Sequence, residues 1–200
     1  AHVDSKALTQ EKIVWAEPTD PDALTFVSCG KTGAEHEIQI VDPATQQSRA
    51  EGEMGEIWFS GPSVSLGYWN LPEVSQETFG NRVMTNGQPG DKTFLRTGDL
   101  GFQKAGELYI AGRIKDLIII RGRNHYPQDI ELTVQNASTS IRPGCIAAFS
   151  VPVDGEEQLV LAAEVKVAPR VAPREEITQL VKQAVTITHE LSVYDICLLP

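Results

Sequence analysis

Short stretches with alternating hydrophobic and polar positions run through residues 36–110 and end at turn-forming residues. These stretches are 37–41, 56–60, 94–96, 101–102 and 107–110. An alternation with a period of two is typical of a strand that buries one face. Asp42-Pro43 and Gly61-Pro62 mark turns after the first two stretches, and 104–106 predicts a hairpin between the last two. We therefore expect a β-rich region built as a small barrel or sandwich.

The pattern changes near residue 115 and becomes mixed. Strand-like segments lie at 117–120, 146–151, 159–167 and 193–199. Pro127 and Pro173 each predict the start of a helix, because proline suits the first helical position. A stripe of residues at helical spacing follows the second proline: Ile177, Leu180, Val181, Ala184, Val185, Thr188 and Leu191. We interpret this stripe as a core-facing surface, so this half is predicted to be a small α+β unit.

Two segments outside these patterns carry weaker signals. Residues 68–80 predict a short helix after Pro72, with Glu73 in its first turn. Residues 1–30 look irregular, and their turn-rich part contains Pro18, Asp20, Pro21 and Asp22. The predicted fold class is therefore α+β, with a β-rich, barrel-like subdomain followed by a small α+β domain.

Charge and cysteine usage narrow the function classes. The chain has 200 residues and a formal net charge of −10, which argues against a nucleic-acid partner because phosphate binding needs a basic field. No apolar run reaches the roughly 18 residues of a membrane span. Its cysteines, Cys29, Cys145 and Cys197, lack the close spacing of metal ligands. We expect free thiols, a cytoplasmic protein and no metal site.

Several short polar clusters are candidates for chemistry. Asp99 follows a glycine at the predicted end of a strand, where a carboxylate can accept hydrogen bonds from vicinal hydroxyls; a simple turn is the competing interpretation. Arg113 and Lys115 lie in the predicted connection between the two halves, where an arginine can reach a phosphate or ribose, or form a surface ion pair. His125 precedes a helix start, and a histidine there can titrate near neutrality, but a solvated loop with a satisfied histidine is the favoured interpretation.

Taken in order, these motifs closely resemble the acyl-adenylate-forming superfamily. The motifs are Gly55-Glu56-Ile57-Trp58, Gly67-Tyr68-Trp69, Leu95-Arg96-Thr97-Gly98-Asp99, Gly112-Arg113-Ile114-Lys115-Asp116 and Gly122-Arg123-Asn124-His125-Tyr126-Pro127-Gln128-Asp129-Ile130-Glu131. The form of 121–131 looks most like the fatty acyl-AMP ligases. The resemblance covers 30–200 and implies that 1–114 are the last subdomain of a large adenylation domain, including the tail of a ligase-specific insertion. It also implies that 115–200 are the small C-terminal domain.

The resemblance also implies roles for single residues. Asp99 matches the acid that holds the ribose hydroxyls of ATP, and Arg113 matches an arginine that contacts the nucleotide. Lys115 occupies the hinge position, about which the small domain swings between half-reactions. No role carries over to Asn124. The catalytic lysine of the family is expected after Pro200. The residues that bind the rest of ATP and Mg²⁺ are expected outside these 200 residues. The 200 residues alone are therefore predicted to be an inactive fragment.

The implied reaction activates a fatty acid with ATP to acyl-AMP and transfers the acyl group to the phosphopantetheine of an acyl carrier protein. Two alternatives stay open. An acyl-CoA synthetase or an amino-acid adenylation domain shares the motifs around Asp99 and Arg113. A non-catalytic module that docks a carrier protein is the alternative from a different functional class.

Overall fold

The computed structural model describes residues 1–21, 23–166 and 172–200 and divides into two compact units. The first unit is Ala1–Lys115 and the second is Asp116–Pro200. Both contain strands and helices, and strands dominate, which confirms the predicted α+β class. Asp22 of the turn-rich stretch and Val167 of the predicted strand 159–167 lie outside the described residues.

The first unit begins with short elements where the sequence predicted irregular chain. Strand β1 (His2–Asp4) pairs antiparallel with β2 (Ala23–Thr25), and helix α1 (Ser5–Leu8) lies between them. The Asp4 carboxylate caps α1 by accepting a hydrogen bond from the Ala7 amide at 2.6 Å. The prediction of an irregular 1–30 was wrong here, because three-residue strands are too short to show a period.

An antiparallel sheet forms the centre of the first unit. Its strands are β3 (Glu37–Val41), β4 (Gly55–Ser60), β7 (Leu95–Lys104) and β8 (Glu107–Arg113), hydrogen-bonded in the order β3-β4-β7-β8. The β7–β8 hairpin confirms the prediction for 101–110. Its turn residues Ala105 and Gly106 have φ values of 52° and 75°, as a tight hairpin turn requires.

Smaller elements connect the strands of this sheet. Helix α2 (Pro72–Phe79) confirms the predicted short helix, with Pro72 in its first turn. The two-residue strands β5 (Met84–Thr85) and β6 (Gln88–Pro89) pair next to it along the chain. A 3₁₀ helix, Ile114–Asp116, follows β8 directly.

Aromatic residues fill the core of the first unit. Trp58 is fully buried and packs with Val41 and Phe94. Phe102 is also fully buried and stacks on Tyr109, with a centroid distance of 5.1 Å. Large rings remove much apolar surface from water, so they contribute strongly to the packing that holds the sheet together.

The second unit places helices on one face of a mixed sheet. A hairpin of β9 (Ile118–Ile120) and β10 (Arg123–His125) leads into α3 (Pro127–Ala137). Strands β11 (Ile141–Val153) and β12 (Glu156–Val165) pair antiparallel, and β12 pairs parallel with β13 (Val193–Leu199). Helix α4 (Arg174–His189) lies in the connection between the parallel strands, which need a long crossover.

The predicted stripe on α4 is confirmed in its centre and corrected at its margins. Ile177, Val181 and Val185 are fully buried in the core of the second unit. Leu180 and Thr188 are exposed, contrary to the prediction. They lie at the edges of the apolar stripe, where the 3.6-residue helical period turns a side chain toward solvent.

Candidate functional site

Asp99 and Arg113 form a pair on neighbouring strands. They are partners in the register of β7 and β8, and the Arg113 Nε donates to the Asp99 Oδ1 at 2.9 Å. The side chains are 34% exposed for Asp99 and 50% exposed for Arg113, so both charged ends are accessible to a ligand. The structure thus brings together two of the predicted site residues, which are separated by fourteen positions in the sequence.

The local setting of both residues differs from the sequence prediction. Asp99 was expected at a strand end and Arg113 in the connection between the halves. Instead, Asp99 lies inside β7, within an irregularity in its pairing with β4, and Arg113 is the last residue of β8. Gly98 has a φ of +73°, a conformation that favours glycine, and it allows the chain to bend just before Asp99.

Lys115 and its neighbours end the first unit. Lys115 lies in the 3₁₀ helix that follows β8, is exposed, and is the last residue of Ala1–Lys115. The adjacent Asp116 begins the second unit. A residue at the border between two compact units has the location that a hinge requires, and the hinge role itself stays a prediction.

Glu56 is a further component that the sequence analysis did not single out. It lies on β4 and is 1% exposed, yet it carries a carboxylate. The Arg96 guanidinium contacts its Oε2 through NH2 at 2.8 Å and through Nε at 3.0 Å. The Trp58 indole also donates to Oε2, at 2.9 Å. The sequence signal for Glu56 was a glutamate within a hydrophobic strand segment. That signal does not show whether the glutamate is buried, because burial depends on tertiary packing.

The segment 121–131, which suggested a fatty acyl-AMP ligase, forms the turn after β9, strand β10 and the start of α3. Arg123 pairs with Glu190 at 2.9 Å, and this ion pair is exposed at both ends. His125 is 5% exposed, and burial together with the nearby Arg123 lowers its pKa. The interpretation of His125 as a residue of a solvated loop is therefore wrong, because the ring is buried, and burial disfavours its charged form.

Two further titratable groups, Asp129 at the start of α3 and His189 at the end of α4, are partly buried. Burial raises the pKa of Asp129 to about 6. Burial and the neighbouring His125 lower the pKa of His189 to about 4. The Thr133 hydroxyl lies 2.8 Å from the His189 Nε2 and donates to the Asp129 carbonyl oxygen at 3.1 Å, so it links both helices.

The described part of the chain offers neither a cluster of metal-ligating side chains nor a membrane-spanning helix. Within residues 1–21, 23–166 and 172–200, no group of three or more His, Cys, Asp or Glu side chains can hold a metal ion. In the same ranges, no helix is long and apolar enough to cross a membrane.

Comparison with known proteins shows which enzymes this chain resembles. Residues 8–69 match the family model described as AMP-binding enzyme. A medium-chain-fatty-acid–[acyl-carrier-protein] ligase, JamA of Moorena producens, is 41% identical over 98% of this chain and 33% of its own length. A putative fatty-acid–CoA ligase, fadD21 of Mycobacterium leprae, is 41% identical over 94% of this chain and 35% of its own length.

A solved structure gives the same picture at the level of the fold. It comes from a study of fatty acyl-adenylate ligases from E. coli and L. pneumophila and superposes with a TM-score of 0.77 at 35% identity. The match covers all of this chain and 33% of that protein. The chain therefore spans about a third of the length of the relatives that it matches.

Proposed function

We propose, since this chain belongs to the AMP-binding family of adenylate-forming enzymes, that it is part of a fatty acyl-AMP ligase. In the proposed reaction, a fatty-acid carboxylate attacks the α-phosphorus of ATP, pyrophosphate leaves and acyl-AMP forms. The phosphopantetheine thiol of an acyl carrier protein then attacks the acyl carbon. A thioester forms, AMP leaves with its phosphate oxygen, and the thiol proton passes to solvent.

The observation that carries the proposal is the Asp99–Arg113 pair. Both side chains are accessible, and the 2.9 Å contact orients one carboxylate oxygen of Asp99. A carboxylate has about four lone-pair positions, so Asp99 can accept further hydrogen bonds from the vicinal hydroxyls of a ribose. Arg113 keeps further N–H donors for the nucleotide, since a guanidinium carries five.

Lys115 is proposed to act between the half-reactions rather than on the nucleotide. Its exposed position at the border of the two units supports a hinge at this point. ATP is the co-substrate in this proposal, with Mg²⁺ as its counter-ion, and the metal ligands are assigned to the part of the ligase outside the 200 residues. The catalytic lysine is assigned there as well.

Transfer to free CoA is the second candidate function. The name of the Mycobacterium leprae relative, a putative fatty-acid–CoA ligase, favours it, whereas the name of the Moorena producens relative favours a carrier protein. Both functions share the adenylation step, so they differ in the acceptor. We place the carrier protein first because the form of residues 121–131 resembles the fatty acyl-AMP ligases.

A competition experiment with the complete ligase tests the acceptor. The enzyme receives a fatty acid, ATP and Mg²⁺, then holo carrier protein and CoA together at equal concentration. Mass spectrometry measures both thioesters. We expect acylated carrier protein without acyl-CoA, and abundant acyl-CoA would assign the protein to the synthetases. A control with apo carrier protein, which lacks the phosphopantetheine thiol, should give no carrier thioester.

A further inference from the structure

We propose that Glu56 is a positioning residue that holds the bend before Asp99 and thereby presents Asp99 and Arg113 to the nucleotide. This inference rests on the proposed function, because it assumes that Asp99 binds ribose. Glu56 touches no substrate in this proposal. It acts through the backbone of β7, and its charge is neutralised within the protein.

The charge of Glu56 is buried. Carboxylates are almost never fully buried unless they are paired and hydrogen-bonded, since removal from water is costly. Glu56 is 1% exposed and accepts hydrogen bonds from Arg96, Trp58 and the Gly98 amide. The Gly98 contact, at 3.2 Å, connects the buried carboxylate to the residue next to Asp99.

The register of β4 against β7 is irregular beside Glu56. Glu56 pairs with Leu100 and Trp58 pairs with Arg96, so one residue of β4 faces three residues of β7. Residues 97–99, two more than the single opposite residue would pair with, form a bulge. Bulges re-aim side chains next to active sites, and their backbone groups leave the regular ladder of strand hydrogen bonds.

Side-chain hydrogen bonds hold the bulge in place. The Gly98 amide, at a residue outside the pairing with β4, donates to the Glu56 Oε1. The Thr97 hydroxyl donates to the Ile57 carbonyl oxygen at 2.7 Å and accepts from the Asp99 amide at 3.0 Å. The side chains of Glu56 and Thr97 therefore replace the missing strand pairing, and they do so on both sides of Gly98.

The consequence concerns the orientation of the Asp99 carboxylate. The Asp99 amide is fixed by the bulge, and its side chain meets Arg113 at the next strand. If Glu56 loses its charge, the Arg96 contact weakens and the acceptor for Gly98 is less firmly held. The bulge then samples other conformations, and Asp99 spends less time in the geometry that accepts two ribose hydroxyls.

The test uses the complete ligase with ATP and 2′-deoxy-ATP. Pyrophosphate release gives kcat/KM for each nucleotide. The value for ATP divided by the value for 2′-deoxy-ATP, called the ratio below, measures how firmly the 2′-hydroxyl is held. We expect Asp99→Asn to lower this ratio about tenfold, as for loss of a hydrogen bond to a charged group. Glu56→Gln should lower the ratio about fivefold by the same physical route. A solely structural role would change kcat for both nucleotides equally and leave the ratio unchanged.

Asp42→Asn is the matched control. Asp42 also pairs with an arginine, Arg49, at 2.9 Å and also accepts backbone amides, those of Ala44 and Thr45. It follows β3 and lies outside the bulge, so this variant should keep the parent ratio. Arg96→Lys is a second variant that keeps the charge beside Glu56 but loses the two-pronged contact. It should lower the ratio about threefold, and it tests the proposal if Glu56→Gln does not fold.

The outcomes separate this inference from the proposed function. If Asp99→Asn lowers the ratio but neither Glu56→Gln nor Arg96→Lys does, the positioning role is overturned and the ribose role of Asp99 stands. If Asp99→Asn leaves the ratio unchanged, the ribose role fails and the positioning role fails with it. A lowered ratio in Asp99→Asn and in the Glu56 or Arg96 variants, with Asp42→Asn unchanged, supports both.

Discussion

Partly buried titratable side chains contribute to how the second unit responds to pH. The pKa of His189 is lowered to about 4, below its ordinary value of 6.5, by burial and by His125. As the pH falls below 6.5, the unfolded chain binds a proton at this ring before the folded chain does. The contribution of His189 to stability is therefore present above pH 6.5 and is lost as the pH falls toward 4.

We predict that His189→Gln reduces the acid sensitivity of the free energy of unfolding. The full shift corresponds to about 3 kcal/mol, and partial solvent screening of this half-buried ring brings the expected difference to about 2 kcal/mol. Urea unfolding at pH 7.5 and 4.5 measures it. The variant should lose about 2 kcal/mol less than the parent protein between these pH values.

Asp129→Asn is the control of opposite sign. The pKa of Asp129 is raised to about 6 by burial, so its ionisation destabilises the fold as the pH rises from 3.8 through 6. This variant should gain stability relative to the parent at pH 7.5 and lose that advantage toward pH 4. An equal pH dependence in the parent and both variants would contradict the assigned burial of these groups.

At the scale of elements, the bulge in β7 determines where the candidate site lies. A regular β7 would keep residues 97–99 in the ladder with β4, whereas the observed register sets them aside. The backbone at Gly98 is in the left-handed region, at φ +73°. A side chain at this position is strained by roughly 1–2 kcal/mol even where space is available.

We predict that Gly98→Ala impairs ATP use while Gly87→Ala does not. Both glycines have similar φ values, +73° and +76°, and among the described residues no atom lies within 4 Å of the added Cβ. Each variant should therefore lose about 1 kcal/mol of stability in urea unfolding. In the complete ligase, only Gly98→Ala should raise KM for ATP several-fold. Equal KM values for ATP in the two variants would contradict a role of the bulge in nucleotide binding.

At the scale of the whole molecule, the chain spans about a third of the length of its relatives. The described residues form two compact units, each with its own core. The first contains the Asp99–Arg113 pair and Lys115. Phosphoryl chemistry needs several positioned charges around the phosphate groups, and under the proposed function these belong to parts of the ligase that this chain does not span.

We predict that the 200 residues alone do not form acyl-AMP. The chain with a fatty acid, ATP and Mg²⁺ should release no pyrophosphate above the enzyme-free background, since the proposed catalytic lysine and phosphate-binding residues belong to the rest of the ligase. The complete ligase at the same concentration is the positive control. Turnover by the 200-residue chain would contradict this assignment of the catalytic groups.

Much of the local structure could be predicted from sequence because its causes are local. Alternation predicted strands β3 and β4, and the turn at 104–106 predicted the β7–β8 hairpin. Proline located the starts of α2 and α3. The short elements at 1–30 were missed because they owe their stability to pairing between β1 and β2 rather than to their own pattern.

The candidate site divides in the same way. The motifs around Asp99, Arg113 and Lys115 identified these residues as candidates. No motif assigned a role to Glu56. A glutamate on a strand gives no sign of whether it faces solvent or the core. Its burial follows from the packing of β4 and β7, and its contact with Arg96 joins residues forty positions apart.

The sequence by itself determined the α+β class, the order of the main strands and helices, and the residue types at the candidate site. These depend on turn chemistry and hydrophobic period, which act over a few neighbouring residues. The tertiary structure decided the register of β4 against β7, the bulge at 97–99 and the 2.9 Å contact between Asp99 and Arg113. Such features depend on hydrogen bonds and packing between distant segments, and those are set when the sheet closes over its core.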